Sequence, residues 1–295
     1  MTKDKKVIAA EFGILVVAMC WGMGFVAAKF VLEDMGPFDL MAYRYGLAVI
    51  LMFFFAIPHL KEINWKTVKA ASLIGFMMFA GNMLQTIGLQ YTTPGKQTFI
   101  ICMYTVFVPL ISWVIFRDKI KKNIAIAAVI AFIGIGLLTL TDELTIGFGD
   151  GLTFIFAILF SFEVILIGRF MKEMNPIAFA FVQIFVCAIC SIGAALIWGE
   201  GASLSDLGTG GMLGMFQLVA LNTVLAFILQ NVCQGMAPPT HVAILMSTET
   251  VFGTFFAVVF ANEVFEGRMI LGCILMFVAI IVSNIPMEKK TDKTE

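Results

Sequence analysis

A chain of 295 residues that is 60% hydrophobic and 13% charged, with a mean hydropathy of +0.98, is not built like a soluble domain, which runs about 45 to 50% apolar and about 25% charged. Its formal net charge of -1 gives no electrostatic footprint for a nucleic-acid partner. The partner this composition fits is the lipid bilayer.

A membrane-spanning helix needs roughly 20 mainly apolar residues, because the hydrocarbon layer is about 30 Å thick and each residue rises about 1.5 Å. Ten stretches reach that length: 7–29, 39–57, 68–90, 94–116, 122–141, 150–171, 176–198, 210–233, 239–261 and 267–286. No segment between them is long enough for a second domain. The first follows Lys3, Lys5 and Lys6, as a secretory signal does, but no small-residue cleavage site follows its apolar run, and it is read as a span. It carries Glu11, Trp21 and Lys29. The second opens with Pro37 and holds Arg44 about one turn inside; the third has Asn82 and Gln85 at i and i+3. The fourth runs from Pro94 through Tyr104 and closes at Asp118. In the second half the sixth span holds Glu163, the eighth Asn222 and Gln230, and the ninth starts at Pro239, carries Glu249 and closes at Glu263.

These landmarks repeat. Gln85, Pro94 and Asp118 recur 145 positions later as Gln230, Pro239 and Glu263. Lys29 corresponds to Arg169 at an offset of 140, Pro37 to Pro176 and Arg44 to Gln183, while Tyr104-Thr105-Val106-Phe107 lines up with Glu249-Thr250-Val251-Phe252. A run of matches in one register predicts a duplication, with residues 1–145 as one repeat and 146–295 as the other. Five spans per repeat is an odd number, so the second copy is expected upside down, an arrangement typical of secondary transporters. With a cytoplasmic N-terminus, fifteen of the 19 basic residues fall on the cytoplasmic side; Lys29, Lys96 and Arg268 fall outside, and Arg44 lies within a span. By the positive-inside rule both termini face the cytoplasm of a multi-pass cell-membrane protein.

The motif Trp21-Gly22-x-x-Phe25-x-x-x-Lys29, the Pro37 and Arg44 that open the second span, and the acidic residues that close the fourth span of each half resemble the EamA branch of the drug/metabolite transporter superfamily. The resemblance covers roughly residues 9–140 and 150–285. It implies an all-α integral membrane protein of ten transmembrane helices arranged as two inverted five-helix repeats. It also implies a carrier in the bacterial inner membrane that commonly exports amino acids or other small metabolites. Asp118 stands where the family has glutamate, and Thr250 where a proline often follows Glu249, so the proline that would bend the ninth span is missing.

Other chemistries lack their residues. Pro94-Gly95-Lys96-Gln97-Thr98 is no phosphate loop: the first glycine of GxxxxGK[ST] falls at Gln90 and Gln97 replaces the Ser/Thr. His59 and His241 lie on different segments, which leaves no histidine metal centre and no Ser/His/Asp group. All six cysteines lie within spans, where Cys187-x-x-Cys190 reads as packing. Neither a cofactor nor an enzymatic activity is expected.

Ionisable groups inside spans point to a transport path, because each costs roughly 2.5 to 3.5 kcal/mol or more at the bilayer centre. Glu249 and Glu163 sit deep in their spans and fit a proton or cation site, or an interhelical hydrogen bond; Glu11 lies near a cytoplasmic end and reads as interfacial. Arg44 could grip a substrate carboxylate in bidentate fashion, or pair with Asp39 or a lipid headgroup. Lys29 reads as a snorkelling anchor. Asn82, Gln85, Asn222 and Gln230 are candidate uncharged contacts or interhelical links, and Trp21, Tyr104 and Trp113 candidate aromatic faces. The expectation is an exporter of a small amino acid or amine-like metabolite, working by alternating access with a proton as coupling ion. An importer, a channel and a membrane-embedded enzyme are the alternatives, and oligomeric state is left open.

Overall fold

The computed structural model describes residues 3–117, 122–139, 147–236 and 245–284; Asp118, Pro239 and His241 lie outside them. The described residues are helical, with no strand among them. The helices are α1 (Lys3–Val31), α2 (Pro37–Ala56), α3 (Trp65–Leu89), α4 (Pro94–Ile101), α5 (Tyr104–Phe116), α6 (Lys122–Thr139), α7 (Phe148–Phe170), α8 (Pro176–Trp198), α9 (Thr209–Phe216), α10 (Ala226–Gln234), α11 (Glu249–Phe260) and α12 (Gly267–Asn284). Helix overlies each of the ten expected stretches. Among the described residues, seven helical segments are long and apolar enough to cross a bilayer by themselves, with Leu245–Phe260 and Ile270–Ala279 as shorter apolar helices.

Local chemistry sets the ends. Pro37, Pro94 and Pro176 each occupy the first helical position, where the missing N–H costs nothing and φ is already helical. Thr93 and Asn175 accept from the first free amides of α4 and α8. The fold is inside out relative to a soluble protein. Phe12, Phe54, Phe132 and Leu196 are mostly exposed, a surface that only lipid solvates well, while Asp39, Arg44, Glu163, Gln183, Gln230 and Glu249 are buried.

Hydrogen bonds at the two ends of the bundle fix which helix ends meet. At one end Lys29 Nζ reaches the Leu89 carbonyl at 3.5 Å, Thr92 bonds Asp150, Asp39 accepts from the amides of Glu200 and Ala202, and Glu263 accepts from Gly95 N at 2.8 Å. At the other, Asn175 donates to Glu62 at 2.9 Å. Thus α7 begins at the end where α1 finishes. The packing partners follow a matching pattern: α1 lies on α9, α10 and α11, α7 lies on α3, α4 and α5, and the pairs α2 with α8 and α6 with α12 join like-numbered spans of the two halves.

Two spans are not continuous α-helix. The fourth breaks at Cys102 and Met103 before α5 resumes at Tyr104, and the ninth has a turn at Thr248 before α11 starts at Glu249. These breaks are 145 residues apart. The ninth span is therefore interrupted without the family's proline. In the eighth, a π-helix over Gln217–Leu225 joins α9 to α10, and Thr223 Oγ1 returns a 2.7 Å bond to the Leu218 carbonyl.

Candidate functional site

The breaks and the π-helix converge on one cavity of about 50 Å³, room for roughly three or four waters. Arg44, Glu163, Glu249, Asn82, Gln85, Asn222 and Trp21 all line it. Seven of the ten candidate contacts named from sequence therefore meet at one place. Arg44 is 6% exposed, Glu163 1% and Glu249 4%.

Arg44 is held by the π-helix, its Nε donating to Thr223 Oγ1 at 2.9 Å and its Nη2 to Asn222 Oδ1 at 2.6 Å. It does not pair with Asp39, whose carboxylate accepts from backbone amides after α8, and a lipid headgroup cannot reach it in the interior. The widened turn of a π-helix displaces side chains from the α register and recurs at functional sites; here it turns Asn222 and Thr223 together toward Arg44. Asn222 also donates to the Cys20 carbonyl at 3.0 Å, and its own carbonyl accepts from Trp21 Nε1 at 3.1 Å. Asn222 is thus an interhelical link and a cavity wall at once. Trp21 packs edge-on to Phe160 with centroids 5.6 Å apart, so its ring is held as well.

Glu249 is the first residue of α11, placed there by the turn at Thr248, where the partial positive charge of a helix N-terminus lies. The two breaks touch, through Cys102 Sγ and Thr250 Oγ1. One oxygen of each buried carboxylate, Glu163 Oε1 and Glu249 Oε2, has no hydrogen-bond partner. His59 pairs with Glu62 at 2.8 Å far down the bundle, and no ion pair joins Arg44, Glu163 and Glu249. The cavity therefore holds one guanidinium and two carboxyl groups, none salt-bridged to another.

Two of the residues singled out from sequence do not line the cavity. Gln230 is fully buried below the cavity, with neither amide atom partnered, and does not line it. Tyr104 is buried behind Phe160, against which its ring packs edge-on at 5.1 Å. Tyr104 directly follows the break at Cys102 and Met103, and Gln230 lies about a turn beyond Phe227, which does line the cavity. Trp113, another aromatic candidate, is 49% exposed on the outer face of α5. Sequence reading missed Gln97, Phe156 and Phe160 as lining residues. Phe156 and Phe160 were legible, lying seven and three residues before Glu163 on one helical stripe. Gln97 was not: it packs between two helices, its Nε2 donating to the Gln85 carbonyl at 2.8 Å and to Thr153 at 3.1 Å.

A wider cleft of about 320 Å³ opens at the Lys29 end, lined by Lys29, Glu33, Thr92, Asn262 and Glu263 among others. Lys29 stands between the two spaces, since the Leu89 carbonyl it reaches belongs to a residue of the cavity wall.

A model of the EamA-like transporter family matches residues 8–140 and 147–285. The chain belongs to the EamA-like transporter family. This EamA-like protein is a multi-pass membrane protein of a transporter family. It is 29% identical to an "uncharacterized transporter" of Archaeoglobus fulgidus over 95% of this chain and 87% of that one. It is 24% identical to the "uncharacterized transporter YyaM" of Bacillus subtilis, over 71% and 72% of the two chains. A WAT1-related chloroplastic protein of Arabidopsis thaliana is 24% identical over 90% of this chain and 67% of its own. A solved crystal structure superposes with a TM-score of 0.70 at 14% identity, covering 93% of this chain and 96% of its own. At that identity the likeness is one of fold.

Proposed function

We propose that this EamA-like protein is a secondary carrier in the cell membrane that moves a small amino acid or amine-like metabolite, in the export direction, by alternating access. Residues 1–145 and 146–295 act as two inverted repeats of five spans, with both termini in the cytoplasm. The opposite running sense of α1 and α7 and the matched breaks 145 residues apart support this.

The observation that carries the substrate reading is the cavity's charge set. Arg44 presents a planar donor fork, the shape that takes a carboxylate through two parallel bonds, while Glu163 and Glu249 are acceptors for an ammonium group. Each carboxyl group buried beside the others is most easily kept neutral by a proton, and a carrier that binds an ammonium in place of that proton couples the two flows. Trp21 and Phe160 supply the apolar wall. A cavity of about 50 Å³ admits a small solute only with some opening of the walls.

The test is flux in proteoliposomes. Zwitterionic amino acids should move faster than their N-acetyl or carboxamide derivatives, and an imposed pH gradient should drive them. Equal rates for the blocked derivatives would overturn the zwitterion reading, and solute movement that ignores the pH gradient would overturn proton coupling.

A further inference from the structure

A second group of polar side chains lies toward the opposite end from the Lys29 cleft. Gln183 on α8 and Gln230 and Asn231 on α10 are each fully buried. Their hydrogen bonding is poor. Asn231 Nδ2 reaches Gln183 Oε1 at 3.5 Å, the Gln183 amide donates to the Met78 sulfur at 3.3 Å, and the Gln234 amide lies 3.9 Å from the Met246 sulfur. Both amide atoms of Gln230, Asn231 Oδ1 and Gln234 Oε1 have no partner. A thioether is a weak acceptor, and a buried amide left unpaired costs about 1 to 3 kcal/mol.

A spacing of three and four residues puts Gln230, Asn231 and Gln234 on the helical stripe that continues down from Phe227, which lines the cavity. Met78 joins the two regions: its carbonyl accepts from the cavity residue Asn82 at 2.8 Å while its sulfur covers Gln183. Gln230 and Asn231 are also the repeat mates, at offset 145, of Gln85 and Thr86, which do line the cavity.

We propose that Gln183, Gln230 and Asn231 form a second, uncharged binding station for the dipolar parts of the solute, sealed from the cavity by the Met78 side chain. The proposal rests on the carrier reading. When the carrier opens to the cytoplasm, Met78 swings aside, the amides are hydrated, and they take over the hydrogen bonding that Gln85 and Thr86 provide on the other side. Methionine suits such a plug because three rotatable bonds let it leave and refill the space without moving the backbone. Amides suit the station because each both donates and accepts, and adds no charge to desolvate.

The test uses the full chain in right-side-out and inside-out vesicles and a membrane-impermeant cationic methanethiosulfonate, with modification read at each position by peptide mass spectrometry. Gln230→Cys and Asn231→Cys should react from the cytoplasmic face at least about tenfold faster than Ala131→Cys, a buried position between α6 and α12, because a minor state populated at roughly 1 to 10% exposes the former alone. Met78→Ala should speed both further, whereas Met78→Leu should slow them. Either cysteine can be read if the other variant fails to fold, as judged by size-exclusion. Reaction no faster than Ala131→Cys, or only from the outer face, would overturn the station. Labelling needs no solute, so absence of flux with cytoplasmic labelling intact would count against the carrier reading alone.

Discussion

Arg44 is the residue whose loss should be felt most widely. Its two hydrogen bonds tie α2 to the π-helix, and bonds to a charged group contribute about 1.5 to 3 kcal/mol each. Arg44→Ala should lower the melting temperature in detergent. Arg44→Lys, which keeps charge but lacks the fork, should retain most of the stability and still lose at least about tenfold in flux, because a point charge cannot take a carboxylate in bidentate fashion. Comparable flux in Arg44→Lys would remove Arg44 from the substrate site. Glu163 and Glu249 should behave in the opposite way. Glu163→Gln and Glu249→Gln keep the size and polarity of a neutral carboxyl group and should leave the fold about as stable, while flux loses its response to an imposed pH gradient. If both variants transport as the parent does under that gradient, neither carboxylate carries the coupling proton.

The elements that shape the site are its interrupted helices. The fourth span is broken near its middle, at Cys102 and Met103, and Leu245–Phe260 near its start, at Thr248, which brings a helix start, and Glu249 with it, into the interior. Backbone freed at such breaks is tolerated only where protein or a cavity receives it. The α1–α11 crossing beside the break depends on Gly22, where an added Cβ would lie 2.7 Å from Gly253 N and 3.0 Å from the Glu249 carbonyl. Those neighbours are backbone and cannot move aside, so Gly22→Ala should cost about 1 to 3 kcal/mol. Gly193 on α8 has nothing within 4 Å of its Cβ position, and Gly193→Ala should be neutral or stabilising by about 0.5 to 1 kcal/mol. Thermal unfolding in detergent checks both. Equal effects from the two would mean that the close approach of α1 to α11 is not limiting.

For the whole molecule, the prediction concerns which solutes it binds. Ligand present at about 100 times its dissociation constant stabilises the folded state by about 2.7 kcal/mol. A thermal-shift screen should therefore pick out small zwitterions over large or doubly blocked ones, and that preference should vanish in Arg44→Ala. At this scale the sequence was informative about architecture and weak about detail. The spans were legible because hydrocarbon demands long apolar runs, and Pro37, Pro94 and Pro176 marked helix starts because proline is harmless only there. The gathering of Arg44, Asn82, Gln85, Glu163, Asn222 and Glu249 was legible as well, since polar groups in lipid must face one another. The failures of Gln230 and Tyr104 to line the cavity were not, because a repeat offset gives position along the chain and not rotation about a helix axis.

What the sequence by itself determined is the membrane, the helices and the family, properties set by the hydrophobic cost of each segment and by local capping, which do not depend on distant residues. What only the tertiary structure decided is the site: that the π-helix clasps Arg44, that a turn sets Glu249 at a helix start, and that Met78 touches both Asn82 and Gln183. Those outcomes depend on contacts between spans more than 100 residues apart, such as Arg44 with Thr223, and on a break in helical phase that carries no proline to announce it.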